Sequence, residues 1–125
     1  MFQTISMKQL EEMLERRSRA KTGNSGQNGN FVLLDVRSRE EYEMGHLQGA
    51  VNLPYHELES LEYRQRSVPG LMGYGPVVVY CGYGSHSMMA ARILERMGYE
   101  VINTSGGLSY YRGRHFMRGP GTEII

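Results

Sequence analysis

The sequence predicts an α/β fold with a mostly parallel sheet and helices on both of its faces. Apolar runs of strand length alternate along the chain with segments whose apolar residues recur at helical spacing. Two runs, FVLLDV from Phe31 to Val36 and VVVYC from Val77 to Cys81, are almost continuously apolar, as is typical of parallel strands buried on both faces. The length of 125 residues is that of one domain, so we predict a single domain over residues 1–125.

Local signals predict a short strand and then a helix near the N-terminus. Ser6 and Gln9 have the spacing of a capping box at a helix start. Ile5 and Leu10 are placed as the hydrophobic staple that accompanies such a box. The glycine- and asparagine-rich segment from Thr22 to Asn30 ends the helical periodicity, and we expect a flexible surface loop there.

The strand from Phe31 to Val36 is followed by signals for a short helix. Ser38 and Glu41 repeat the capping-box spacing. The helix should continue through Met44, and Gly45 can end it in the left-handed conformation.

The remaining elements continue the alternation of strands and helices, with right-handed crossovers expected between the parallel strands. They are a strand in AVNLP, a helix from Tyr55 to Arg66, a loop from Ser67 to Pro76, the strand VVVYC, a helix from Ser87 to Met97 capped by Gly98, a strand in EVINT, and an aromatic helix from Leu108 to about Met117.

Composition excludes several classes of partner. Lys and Arg number 14 against 13 Asp and Glu, and no dense basic stripe suggests binding to nucleic acid or to an anionic membrane. No apolar run has membrane-spanning length, and the opening residues lack the pattern of a signal peptide. The single cysteine, Cys81, cannot form an internal disulfide, so we expect a reducing, cytoplasmic location. His56 and His115 lack metal-ligand spacing, and no metal is expected.

Cys81 stands where catalytic residues of α/β proteins occur. It ends an apolar strand, and ligands of open α/β sheets bind beyond the carboxyl ends of the strands. Gly82 and Gly84 allow a tight turn into the next helix, so backbone N–H groups and the helix start can converge on the sulfur. Cys81 is therefore predicted to be a nucleophile, with a buried apolar filler as the alternative. A dinucleotide-binding turn is a weaker alternative, because the third fingerprint position is Ser87.

Three segments, in chain order, resemble the signatures of the rhodanese-like family. They are LLDVRSREEYEMGHLQGAVNLP from Leu33 to Pro54, VVVYCGYGSHSMMAARILERMGY from Val77 to Tyr99, and GGLSYYRG near the C-terminus.

This resemblance implies a five-stranded parallel sheet and a sulfurtransferase in which Cys81 carries a persulfide. It implies thiosulfate or a persulfide as sulfur donor, cyanide, a thiol or a protein cysteine as acceptor, and no cofactor. The implied substrate-binding loop consists of Gly82, Tyr83, Gly84, Ser85, His86 and Ser87.

The resemblance is incomplete at the loop. Sulfurtransferases of this family often carry arginine at the fifth position after the cysteine, where this chain has His86. The phosphatase-like branch needs arginine at the sixth position, where this chain has Ser87, so phosphatase activity is disfavoured. A binding module without enzymatic activity is a further alternative, against which the retained Cys81 argues.

Asp35, Arg37 and His46 match positions of the first family segment. At the end of a central strand, Asp35 and Arg37 are expected to brace the active-site loop, because buried charges need partners. His46 follows Gly45 in a turn and is expected to fix backbone rather than bind a metal.

Overall fold

Strands and helices alternate along the chain in the computed structural model, which describes residues 2–20, 31–71 and 75–123. The strands are β1 (Gln3–Ile5), β2 (Val32–Asp35), β3 (His46–Leu47), β4 (Val51–Asn52), β5 (Val77–Tyr80), β6 (Val101–Thr104), β7 (Phe116–Met117) and β8 (Thr122–Glu123). The helices are α1 (Met7–Ala20), α2 (Arg39–Met44), α3 (Tyr55–Tyr63) and α4 (Ser85–Arg96). The loop predicted at residues 22–30 lies outside the described residues. Within those described, no helix combines the length and the apolar character needed to cross a membrane.

A parallel sheet with the strand order β1-β6-β5-β2-β4-β8 forms the centre of the molecule. Its central pair, β2 and β5, is in register from Val32 opposite Val77 to Asp35 opposite Tyr80. The five strands from β1 to β4 in this order are the predicted ones, and the short β8 extends the sheet at its edge. Strands β3 and β7 pair separately and antiparallel. The predicted α/β fold with a mostly parallel sheet is therefore confirmed.

The sheet is buried on both faces, which explains the continuous apolar runs of its central strands. Successive residues of a strand point to opposite faces. On one face Leu34 and Val79 join a core cluster that includes the apolar side of α4. On the other face Leu33 and Val78 join a second cluster that includes residues of α1. Each central strand therefore contributes alternate residues to two cores, and a polar residue in either position would lack a partner.

The predicted helix signals are present as hydrogen bonds. Ser6 Oγ accepts from the Gln9 amide at 3.1 Å, and the Gln9 side chain accepts from the Ser6 amide at 2.8 Å. Ser38 and Glu41 form the same reciprocal box at the start of α2. Gly98 has a φ of 98° just after α4, as expected for a glycine that ends a helix in the left-handed conformation.

The left-handed conformation predicted for Gly45 is wrong. Its φ of 164° is extended, and the chain passes directly from α2 into β3. The position needs glycine for a different reason, because a Cβ atom there would overlap the ring of Phe116. This contact comes from β7, about seventy residues away in sequence, so the local pattern did not reveal it.

The aromatic helix predicted from Leu108 to about Met117 is also wrong. Only a short 3₁₀ turn, Leu108–Tyr110, forms, and Tyr111 is already extended. Backbone groups that would form the hydrogen bonds of a helix instead bond to other partners. The His115 amide donates to the Tyr111 hydroxyl at 2.7 Å, and the His115 carbonyl accepts from the Gln48 amide at 2.7 Å.

A polar cluster attaches this C-terminal segment to α1. Arg114 donates to both carboxylate oxygens of Glu15 at 2.8 and 3.1 Å, and His115 Nε2 lies 2.5 Å from the same carboxylate. The Tyr111 hydroxyl donates to Glu11 at 2.6 Å. The hydrogen bonds from Arg114 and then from His115 lower the pKa of Glu15 from 4.5 to about 2. Burial and the bond to Glu11 raise the pKa of Tyr111.

We predict that Glu15→Gln lowers the Tm at pH 7 relative to the wild type. Because the folded state depresses the pKa of Glu15 from 4.5 to about 2, the stabilisation is present above pH 4.5 and is lost as pH falls towards 2. Thermal melts between neutral and acid pH should therefore show the difference shrinking in acid. Glu12→Gln on the exposed side of α1 is the control and should change the Tm little at any pH. A Glu15→Gln deficit that is constant across this range would contradict the role of the charge.

Candidate active site

Cys81 lies directly after β5, at the carboxyl end of the parallel sheet, and is 2% exposed. The Gly84 amide donates a hydrogen bond to its Sγ at 2.9 Å. The chain bends through residues 82–84, and α4 begins at Ser85. A backbone donor and the start of a twelve-residue helix therefore face the sulfur, and both stabilise negative charge on it. This arrangement suits a nucleophile that alternates between a thiolate and a sulfur-bearing anion.

A second turn packs directly on the loop that follows Cys81. The Leu108 amide donates to the Cys81 carbonyl at 2.7 Å, and the Ser109 amide donates to the Gly82 carbonyl at 3.1 Å. A Cβ atom on Gly107 would come within 2.6 Å of the Tyr83 amide nitrogen, closer than atoms can approach. Glycine at 107 is therefore required for the contact between the two turns. This role of Gly107 was not predicted from the sequence, although the paired glycines after β6 were a signal for it.

Gly84 completes this packing with a left-handed backbone. Its φ is 100°, and a Cβ atom there would lie 3.2 Å from the Gly106 amide nitrogen. The same conformation turns the Gly84 amide towards Cys81 Sγ. A side chain at this position would meet both backbone strain and crowding.

The predicted loop residues separate into buried and exposed groups. Ser87 is fully buried, and its hydroxyl lies within hydrogen-bond distance of the carbonyls of Gly84, at 3.1 Å, and Thr104, at 3.3 Å. It therefore connects the first turn of α4 to the loop and to β6. Tyr83 is 83% exposed, and Ser85 and His86 are also exposed.

His86 is held against α3 by an aromatic contact. Its ring stacks on that of Tyr55, with centroids 5.1 Å apart and planes inclined by 13°. Sequence reasoning identified His86 but not this partner, which lies on another helix.

Asp35 and Arg37 form a buried ion pair at the carboxyl end of β2. The Asp35 side chain is fully buried, that of Arg37 is 11% exposed, and the guanidinium reaches Asp35 Oδ2 at 2.7 Å. Burial lowers the pKa of Arg37, but hydrogen bonds to Asp35 and its charge outweigh this and raise the pKa. The Tyr80 hydroxyl donates to Asp35 Oδ2 at 2.6 Å, and burial together with this carboxylate raises the pKa of Tyr80. Sequence reasoning missed Tyr80, which appears there as one more apolar strand residue.

The ion pair reaches both sides of the site. The Arg37 guanidinium donates to the Gly45 carbonyl at 2.5 Å, and its Cδ lies 3.7 Å from the place of a Cβ atom on Gly82. The turn predicted at His46 is wrong, because this residue begins β3 directly after Gly45. It is buried, its ring stacks on Tyr42 with centroids 3.9 Å apart, and its Nδ1 donates to the Tyr42 carbonyl at 2.8 Å.

A groove of about 540 Å³ runs beside the Cys81 loop, and we call it the loop groove. It is lined by Arg37, Glu41, Gly82, Tyr83, Leu108, Ser109, Tyr111, Arg112, Gly113 and Phe116. Three parts of the chain thus form its walls: the loop itself, the segment that follows the Gly107 turn, and the stretch from the end of β2 into α2, which contributes Arg37 and Glu41.

One group of side chains in the described part of the chain has the arrangement of metal ligands. Glu11, Glu15 and His115 offer atoms within 4.8 Å of one another. These atoms are already hydrogen-bonded within the protein, and the Arg114 guanidinium is 2.8 Å from Glu15, which disfavours a cation. Glu11 and Glu15 are about a hundred residues from His115 in sequence, so the sequence spacing could not reveal this group.

Comparison with known proteins gives one family. The model of the rhodanese-like domain matches residues 7–114. The chain is 40% identical over 75 residues to the thiosulfate sulfurtransferase PspE of Escherichia coli, a match covering 60% of this chain and 68% of that protein. It is 37% identical over 79 residues to a probable molybdopterin-synthase adenylyltransferase of Porphyra purpurea, a match covering 63% of this chain and 20% of that protein.

A solved structure agrees with the fold. The solution structure of a rhodanese-like domain from Anabaena aligns with a TM-score of 0.69 at 22% identity, covering 94% of this chain and 80% of that chain. Several curated relatives are much longer proteins, and the match covers only 15 to 25% of their length.

We predict that Gly107→Ala disrupts the site, whereas Gly98→Ala does not. Both glycines have positive φ, 76° and 98°, so alanine adds backbone strain at each. The strain at Gly107, whose ψ is 175°, is about 1 to 3 kcal/mol, because essentially only glycine adopts this conformation. Only at Gly107 does the new Cβ also meet the backbone of Gly82 and Tyr83, because nothing lies within 4 Å of a Cβ on Gly98. Gly107→Ala should therefore cost at least about 2 kcal/mol more in unfolding free energy, by analogy with overpacked cores.

Denaturant melts and the rate of Cys81 alkylation measure the two effects. Displacing the loop should break the Gly84 hydrogen bond to Sγ and change the alkylation rate in the folded Gly107→Ala protein, with no change in Gly98→Ala. Equal stability losses and equal alkylation rates in the two variants would show that the turn contact does not position the loop.

Proposed function

The chain belongs to the family of rhodanese-like domains, and from this premise we propose that it transfers sulfane sulfur through a persulfide on Cys81. Relatives named as sulfurtransferases support sulfur transfer as the general chemistry. The observation that carries the proposal is the Cys81 sulfur at the end of β5, with the Gly84 amide 2.9 Å away. That donor can stabilise negative charge both in the thiolate and in the bound sulfur anion.

The reaction is a double displacement. The Cys81 thiolate attacks the sulfane sulfur of the donor, the donor's own S–S bond breaks, and its electron pair leaves with the remaining fragment, which is sulfite when the donor is thiosulfate. The new bond leaves a persulfide on Cys81. A nucleophilic acceptor then attacks the outer sulfur. The S–S bond between this sulfur and Cys81 Sγ breaks, and its electron pair returns to Cys81 as the thiolate. No cofactor enters this scheme, because each S–S bond that breaks is matched by a bond that forms.

The loop chemistry favours sulfur over phosphate transfer. A phosphoryl group in transfer needs a bidentate guanidinium against its oxygens. At the position that would supply it, this chain has Ser87, whose buried hydroxyl is directed at protein carbonyls. The Arg37 guanidinium, which lies near the loop, is bound to Asp35.

The retained nucleophile also favours an enzyme over a binding module. A fold used only for docking has no need of the Gly84 to Cys81 hydrogen bond or of the Gly107 contact that supports the loop. We propose thiosulfate or a persulfide as donor and cyanide, a thiol or a protein cysteine as acceptor. The proposal includes a reducing, cytoplasmic location, because a thiol that cycles through a persulfide must be kept reduced between turnovers.

We predict that incubation with thiosulfate adds the mass of one sulfur atom to the wild-type chain and nothing to Cys81→Ser. The substitution is nearly isosteric but removes the thiolate nucleophile, so sulfur transfer to cyanide should be abolished while the thermal melt stays cooperative. Mass spectrometry of the intact chain and a steady-state assay measure the two results. Sulfur transfer by Cys81→Ser at the wild-type rate would contradict the proposal, and so would a robust, Cys81-dependent hydrolysis of an aryl phosphate.

We further predict that His86→Arg lowers the KM for thiosulfate. A permanent cation at this exposed loop position can form a charge-assisted hydrogen bond to the dianion, of about 1.5 to 3 kcal/mol, or roughly tenfold or more before solvent screening. The effect should therefore grow at low salt. His56→Arg adds the same charge on α3 outside the loop and is the matched control. If both variants change the KM equally, or neither changes it at low salt, His86 does not face the substrate.

A further inference from the structure

The loop groove has the size and the walls of a site for an organic molecule. Its volume of about 540 Å³ lies within the roughly 300 to 1,000 Å³ typical of small-molecule sites and greatly exceeds the space of about 30 Å³ that one water occupies. Aromatic rings of Tyr83, Tyr111 and Phe116 line it. An inorganic anion alone would leave these aromatic walls uncovered.

Two of the charged residues in the groove are already paired within the protein. Arg37 is held by the carboxylate of Asp35 in the buried ion pair. Glu41 accepts hydrogen bonds from Ser38 in the capping box of α2. The charge of Arg37 is therefore compensated, whereas Glu41 keeps its negative charge because both of its donors are neutral groups.

Arg112 differs from these two residues. Its side chain is held in place by hydrogen bonds from Nη1 to the carbonyls of Ser109, at 3.1 Å, and Tyr111, at 2.9 Å. Within the described ranges it is found in no ion pair with a carboxylate. The Ser109 amide in turn donates to the Gly82 carbonyl. Ser109 therefore connects Arg112 to the loop that follows Cys81.

We propose that the loop groove binds a small organic thiol carrying a carboxylate, with Arg112 holding that carboxylate while the thiol accepts sulfur from Cys81. This inference rests on the proposed sulfur transfer and names its acceptor class. A guanidinium fixed by backbone carbonyls and lacking an acidic partner is complementary to a carboxylate. The aromatic walls cover the carbon skeleton between carboxylate and sulfur. Arg112 is thus a specificity-determining residue, on a different element from His86, whose ring stacks on α3.

Two acceptors of nearly equal size test the charge: N-acetylcysteine and N-acetylcysteine amide, with thiosulfate as a saturating donor. The readout is the KM of the amide divided by the KM of the acid. The intrinsic reactivity of each thiol is the same with every variant, so a change in this ratio reports on the protein. We expect Arg112→Gln to lower the ratio about tenfold, as for loss of one charge-assisted hydrogen bond. Arg112→Lys should lower the ratio less than Arg112→Gln does, because lysine keeps the positive charge.

The matched control is Arg64→Gln, which removes an exposed arginine whose side chain also donates to a backbone carbonyl, that of Ser60. It should leave the ratio at the wild-type value. A fall of the ratio in Arg64→Gln as large as in Arg112→Gln would show a general charge effect and overturn the inference. A ratio unchanged by Arg112→Gln would also overturn it.

A binding measurement separates this inference from the proposed function. S-methyl-N-acetylcysteine and its amide cannot accept sulfur, and their dissociation constants can be measured by NMR titration. Tighter binding of the acid that disappears in Arg112→Gln supports the inference even if no variant transfers sulfur, a result that would overturn the proposed function alone. Equal binding of acid and amide to the wild type, or no binding of either, contradicts the inference even if Cys81 does form a persulfide.

Discussion

The close contact between two backbone turns is the constraint on which the site depends. The turn at Gly107 packs on the loop after Cys81 so closely that no side chain fits between them. Hydrogen bonds from Leu108 and Ser109 to the Cys81 and Gly82 carbonyls fix the two turns together. The loop cannot relax independently, so the Gly84 amide stays directed at the sulfur. The same contact brings the segment carrying Arg112 beside the loop, where it forms a wall of the groove.

The buried ion pair of Asp35 and Arg37 supports this arrangement from the neighbouring strand. Leaving a buried carboxylate unpaired costs several kcal/mol, so Asp35 holds its partners in defined positions. Arg37 reaches the Gly45 carbonyl on one side and lies beside Gly82 on the other, and the Tyr80 hydroxyl completes the set. The ends of β2 and β5 are thereby joined to the turn after α2. A rigid frame of this kind lets a glycine-rich loop hold the Cys81 sulfur in a fixed position.

The sequence by itself determined the elements whose signals are local. Continuous apolar runs predicted the central parallel strands, because a strand buried on both faces cannot alternate with polar residues. Capping boxes at Ser6 and Ser38 predicted two helix starts. Cys81 was predicted to be a nucleophile because a strand end, a glycine-rich turn and a helix start are adjacent in sequence, and these features give its sulfur the backbone donor from Gly84.

Only the tertiary structure decided the features that depend on residues distant in sequence. Gly45 has an extended backbone and lies against the ring of Phe116. The segment after Leu108 does not form a helix, because its backbone bonds to distant residues such as Gln48. The stacking of His86 on Tyr55 likewise arises from packing between elements, and so does the position of Arg112 in the wall of the loop groove. Local propensities amount to less than about 1 kcal/mol per residue, whereas a buried contact or hydrogen bond can exceed that, so the fold overrides the pattern where the two disagree.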